Sequence, residues 1–141
     1  NKMGNKLVIL IAVFLLAGCK GCRENNSVVP LVSVDFSVNI NNASYFELTN
    51  ITGWVYVTGG SRGIIIYRNN IDQFTAFDRH APYNAEEGCR VFVLEDDITL
   101  KDECSESSWL ILDGSLISGP AEQPLKQYST QFSGSTLRVY N

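Results

Sequence analysis

From Val28 onward the apolar residues come in short bursts rich in Val, Ile, Tyr and Phe, separated by Gly, Asn, Asp and Pro. Val32, Val34, Phe36, Val38 and Ile40 alternate with polar neighbours, the period-two pattern of a half-buried strand. Residues 54–57 and 63–67 are two further apolar bursts around Thr58, Gly59, Gly60, Ser61 and Arg62, which predicts a hairpin. Strands are also predicted over 74–77, 90–94, 109–112, 115–117, 126–130 and 136–140. No stretch sustains a helical period, so the expected domain is all-β, a sandwich or small barrel. Gly59, Gly60 and Gly63 could be taken for a phosphate-cradling loop, but such loops need a helix start behind them. A β-branched run, Ile64 to Ile66, follows here instead, and the glycines fit a turn.

The start of the chain breaks this pattern. Residues 7–18 are almost wholly apolar, follow Lys2 and Lys6, and stop at Cys19. A spanning helix needs about 20 apolar residues, so this run is too short and is expected to be a secretory signal, 1–18. Leu16, Ala17, Gly18 and Cys19 resemble the lipobox of bacterial lipoproteins, in which the cysteine takes the lipid and becomes the new N-terminus. The expected organisation is therefore a signal, a polar tether over 19–30 and a domain over 31–141. Lys20 stands where aspartate would suggest inner-membrane retention, so the outer membrane is expected, with a periplasmic or surface-exposed domain.

Removing the signal lowers eleven basic residues to nine against fifteen acidic ones, and moves the formal net charge from -4 to -6. No basic patch remains for phosphates, which argues against nucleic-acid binding. Cys19 is assigned to lipid, and Cys22 lies three residues on in the tether with no functional assignment. Cys89 and Cys104 lie inside an exported domain, where a disulfide is the default fate. It would close a loop of about 15 residues and stabilise by about 3 kcal/mol in the chain-entropy model.

Candidate chemistry is sparse. His80 is the only histidine. No acidic residue or serine is spaced along the chain to suggest a triad with it, and the expectation is a solvated loop histidine. Glu95, Asp96 and Asp97, then Asp102 and Glu103, form an acidic run with oxygen donors suited to hard cations. They lack the interleaved Gly or Asn of calcium loops, so a solvated acidic loop is expected.

Several segments together resemble the Rieske iron-sulfur family, especially its lipoprotein members from Bacteroidetes-type bacteria. They are Gly63 to Arg68, Ala76 to Arg79, Ser107 to Trp109 with Asp113 and Gly114, Gly119-Pro120-Ala121, Pro124-Leu125 and Leu137 to Asn141. The resemblance implies a Rieske-like antiparallel β-sandwich or small barrel with an inserted loop subdomain at about 77–121. In that family a Cys-x-His pair and a Cys-x-x-His pair hold a 2Fe-2S cluster. Alignment without gaps back from Gly119-Pro120-Ala121 puts the second pair on Asp102 and Ser105. Phe77-Asp78-Arg79-His80-Ala81-Pro82-Tyr83 resembles the family's Phe-Asp-Arg-x-Cys-Pro, which puts the first pair on Ala81 and Tyr83.

All four ligands are thus substituted: Ala81 has no donor, and the other three offer oxygen where the cluster takes thiolate and imidazole. A shift of register to His80 and Cys104 would supply half a coordination set. Many members of the family also clamp the two loops with a disulfide, and Cys104 with Cys89 matches those positions. The expectation is a lipid-anchored, non-enzymatic binding or structural module of the cell envelope, with no cofactor. Its tip would run over 80–89 and 102–107. Glu86, Glu87, Asp102, Glu103 and Glu106 make that tip acidic, suited to a basic envelope protein. The alternatives are an electron carrier with atypical ligands and an envelope enzyme.

Overall fold

The computed structural model describes residues 29–141; the signal segment, Cys19 and Cys22 lie outside the described residues. Ten strands form two antiparallel sheets. In chain order they are β1 (Asp35–Asn39), β2 (Trp54–Val57), β3 (Ile64–Arg68), β4 (Phe74–Asp78), β5 (Val91–Val93), β6 (Thr99–Asp102), β7 (Ser108–Leu110), β8 (Leu116–Ser118), β9 (Gln127–Ser133) and β10 (Thr136–Tyr140). The larger sheet runs β1-β10-β9-β4-β3-β2 and the smaller runs β5-β6-β7-β8. Two 3-10 helices, Ala43–Thr49 and Ala85–Glu87, are the helical segments among the described residues.

Period two decides which side chains face inward. On β1 and its flanks Val34, Val38 and Ile40 are buried while Asp35, Ser37 and Asn39 are exposed, as alternation on a pleated strand requires. They join Val55, Ile64, Ile66, Phe74, Ala76, Tyr128, Leu137 and Val139 in one core enclosed by the six-stranded sheet. The 3-10 helix Ala43–Thr49 covers this core with Leu48, which is fully buried, and Tyr45.

β3 is apolar without alternation because both its faces are covered. Ile64 and Ile66 face the first core, and Ile65 and Tyr67 face a second. That second core lies between the sheets and gathers Phe77, Val91, Leu100, Trp109, Ile111, Ala121 and Leu125. Trp109 fills its centre, fully buried, with its indole N–H donated to the Gln123 carbonyl at 2.9 Å.

The small sheet and its loops lie between β4 and β9, which are themselves paired: Ala76 opposes Tyr128 and Phe77 opposes Gln127. Side chains of β2 tie the two sheets together. The Trp54 indole donates to Asp97 Oδ1 at 3.1 Å, and the Tyr56 hydroxyl accepts the Val93 N–H at 2.9 Å. The Arg79 guanidinium lies 3.8 Å from the centre of the Tyr56 ring, and burial pushes its pKa down.

Glu95, Asp96 and Asp97 are exposed, as expected of a solvated acidic loop, but Asp102, expected there too, is the buried last residue of β6. The run that precedes it makes the turn: Asp96 Oδ1 accepts the N–H groups of Ile98 and Thr99, Oδ2 accepts the Thr99 hydroxyl, and Asp97 adopts φ +58°. These bonds, led by the Thr99 hydroxyl, lower the Asp96 pKa. The acidic residues are therefore turn chemistry for the β5-β6 hairpin.

Candidate functional site

The hairpin between β2 and β3 closes with the Gly63 N–H on the Gly59 carbonyl at 2.9 Å, as the glycine-rich segment predicts. Its tip wraps around Asp78, the last residue of β4, which is fully buried. One carboxylate oxygen accepts the Ser61 N–H at 2.7 Å and the Tyr128 hydroxyl at 2.7 Å. The other accepts the His80 N–H at 2.8 Å and the Arg62 N–H at 3.2 Å. A buried carboxylate must be compensated by donors, and four surround this one. Gly60 makes the approach possible: at φ +60°, a Cβ there would collide with Asp78 Oδ2 and the Tyr128 hydroxyl. Burial, then the bond to Asp78, raises the Tyr128 pKa well above the ordinary tyrosine range.

His80 is placed differently from expectation. It is 4 % exposed, and both its ring nitrogens are engaged. Nδ1 lies 2.8 Å from Ser61 Oγ, and Nε2 lies 2.6 Å from the Ala85 carbonyl oxygen in the 3-10 helix Ala85–Glu87. The serine absent from its sequence neighbourhood is supplied nineteen residues away by the hairpin. No periodicity signals such a contact.

Two loops meet beyond this point. The first runs from Arg79 to Arg90, the second from Asp102 to Ser107. The first is closed on itself by the Ala81 N–H on the Cys89 carbonyl at 2.9 Å, and the Glu103 N–H on the Arg90 carbonyl at 3.0 Å pins the second to it. Cys89 and Cys104 form a disulfide across the pair, with their Cα atoms 6.0 Å apart, as expected from both cysteine usage and family resemblance. A third loop closes the side, where the Ala121 N–H donates to Ser107 Oγ at 3.0 Å. Gly119, at φ +102°, lies so close to the Ser107 backbone that any Cβ would strike it.

Of the four positions aligned with the cluster ligands, Ala81 and Tyr83 lie on the first loop and Asp102 and Ser105 on the second. Ala81 is fully buried in the second core, and Tyr83 packs against the same core. Asp102 and Ser105 bond to each other, with the Ser105 hydroxyl on Asp102 Oδ2 at 2.6 Å and the Cys104 N–H on Oδ1 at 3.0 Å. Asp102 is 1 % exposed, which corrects its expected place on an acidic surface. Glu103 Oε1 accepts the Arg90 N–H at 2.8 Å, and Glu106 pairs with Lys101 at 3.2 Å. Glu86, Glu87, Glu103 and Glu106 are exposed, so the acidic surface of the tip is narrower than its composition suggested by Asp102 alone.

Among the described residues, Glu87, Cys89 and Cys104 are the one group of ligating side chains within mutual reach, and two of the three are joined in the disulfide. No helix among the described residues is long and apolar enough to cross a membrane.

No protein-family model and no curated protein matches the chain. Among solved structures it is similar to the plasma membrane Rieske protein PetC3 of the cyanobacterium Synechocystis PCC 6803, at 20 % identity and a TM-score of 0.56. The match covers 79 % of this chain and all of that one. The fold is Rieske-like. At this identity the similarity concerns the backbone architecture, and a shared fold does not carry a shared activity. The Rieske-like frame nevertheless agrees with the all-β sandwich expected from the strand pattern, and with the resemblance of its glycine, proline and tryptophan positions.

Proposed function

We propose that this chain is a lipid-anchored Rieske-like domain that has given up its 2Fe-2S cluster and works as a binding or structural module of the cell envelope. The observation that carries the reading is the state of the four positions aligned with the cluster ligands. A cluster of this kind is held by two thiolates and two imidazoles. Ala81 contributes only a buried methyl group. Asp102 and Ser105 are hydrogen-bonded to each other, and Asp102 also holds the Cys104 N–H. Tyr83 is packed against the second core.

The residues present do not fit the group, and their mutual bonds give the loops a reason to keep their shape without it. A shift of register would need His80 and Cys104, but both nitrogens of His80 are hydrogen-bonded and Cys104 is in the disulfide. Anchoring through Cys19 and placement in the outer membrane rest on the sequence of the N-terminal segment alone.

The test is expression under conditions that assemble iron-sulfur clusters, followed by anaerobic purification, visible absorption and an iron assay. A folded, colourless, iron-free protein is the expected result. A brown protein carrying iron in the 2Fe-2S ratio would restore the electron-carrier reading and overturn the ligand alignment.

A further inference from the structure

The contact between the β2-β3 hairpin and the first loop has a chemical direction. A carbonyl oxygen can only accept, so the 2.6 Å contact to the Ala85 carbonyl fixes the proton of neutral His80 on Nε2. Nδ1 then carries the lone pair, and the Ser61 hydroxyl 2.8 Å away donates its proton to it. A serine hydroxyl donating to an imidazole whose other nitrogen is held by a fixed acceptor is the arrangement of an activated nucleophile.

The pair is rigidly set. One buried carboxylate, Asp78, holds the backbone N–H of Ser61 at 2.7 Å and that of His80 at 2.8 Å, so nucleophile and base are positioned from the same point. His80 is buried, while Ser61 is only half-buried and can meet a reagent from solvent.

We propose that Ser61 and His80 form a nucleophile–base pair and that Ser61 accepts an acyl group from an ester. Ser61 Oγ bonds to the acyl carbon as its proton passes to His80 Nδ1; the ester C–O bond breaks, and the leaving alcohol takes the electron pair and then the proton. Efficient acyl transferases also hold the developing oxyanion with backbone N–H donors near the nucleophile. Here the N–H groups of Ser61 and Arg62 both point at Asp78. The site therefore has nucleophile and base without those two donors, and it favours stable acylation over rapid turnover. This inference is independent of the cluster: Ser61 is no part of the aligned ligand set, and the outcome of an iron assay leaves it untouched.

The experiment exposes the full chain to p-nitrophenyl acetate, follows release of p-nitrophenolate, and maps the acetyl group by peptide mass spectrometry. The expected result is a single burst of about one equivalent with the label on Ser61. His80→Gln is expected to slow labelling by about 100-fold or more, the usual size of a general-base contribution. Acetylation elsewhere but not at Ser61, or an unchanged rate in a folded His80→Gln variant, would overturn the proposal.

Because His80 is buried, its replacement is accompanied by Ser61→Cys with His80 intact. The new thiol is expected to react with iodoacetamide at least about 10-fold faster than a free cysteine peptide, since the neighbouring imidazole raises its thiolate fraction. A rate at or below that of the peptide would overturn the proposal even if His80→Gln fails to fold.

Discussion

The two sheets of this molecule are held by different means. In the six-stranded sheet the strands run mostly five to seven residues, and apolar side chains such as Val38, Ile64, Leu137 and Val139 close its core. In the smaller sheet the strands run three or four residues. Strands so short bury little surface, and the region relies on ties between loops: the Cys89–Cys104 disulfide, the Asp102 carboxylate, the Ser107 hydroxyl and the Trp109 indole. One half is thus specified by pattern and the other by particular partners, each of which a single substitution can remove.

Trp109→Ala should expose this contrast most sharply. It removes the largest fully buried side chain and its indole hydrogen bond, and a change of that kind costs about 3–5 kcal/mol. Urea unfolding is expected to show the midpoint falling accordingly. Hydrogen exchange should show protection lost first between β5 and β8; equal loss in β9 and β10 would mean that the two sheets stand or fall as one.

Replacing both Cys89 and Cys104 by alanine comes next. The crosslink closes a loop of fifteen residues, which corresponds to about 3 kcal/mol in the chain-entropy model. The expected loss of protection is confined to the two loops and the small sheet. An unchanged exchange pattern there would show that the polar ties alone are enough.

The smallest effect is one of pH, at the junction of the two halves. The Tyr128 hydroxyl is held protonated by burial and by its bond to Asp78, so its folded pKa lies above the ordinary value near 10. Its contribution is fully present below about pH 10 and is lost as pH rises beyond it, because the unfolded state releases that proton first. Stability measured from pH 8 to 11 should fall more steeply in the wild type than in Tyr128→Phe. Parallel slopes would show that the hydroxyl is not held by Asp78 in solution.

The same division governs what could be seen in the sequence. Alternation made β1 legible through its even-numbered residues, and the unbroken Ile64, Ile65 and Ile66 marked a strand that proves covered on both faces. β6 was not legible, because Leu100 is its one buried apolar residue and the buried Asp102 reads as surface. Nor was the 3-10 helix Ala43–Thr49, in which Tyr45 and Leu48 pack on the core at a spacing too brief to set a period.

At the candidate site Ala81, Tyr83, Asp102 and Ser105 were picked out only by alignment on glycine and proline spacing. Their partners were not, since Ser105 on Asp102 and Ser61 on His80 are facts of loop geometry. Tertiary contacts of this sort leave no periodic trace; they are set only when the sheets have already brought the loops together.

The junction at β4 and β9 has a further consequence. Phe77 opposes Gln127, and the Asp78 N–H donates to the Lys126 carbonyl at 2.9 Å, so the chain leaves the large sheet and re-enters it at adjacent points. Everything between is topologically an excursion with a closed neck. A change of length within it therefore need not alter the register of the strands on either side.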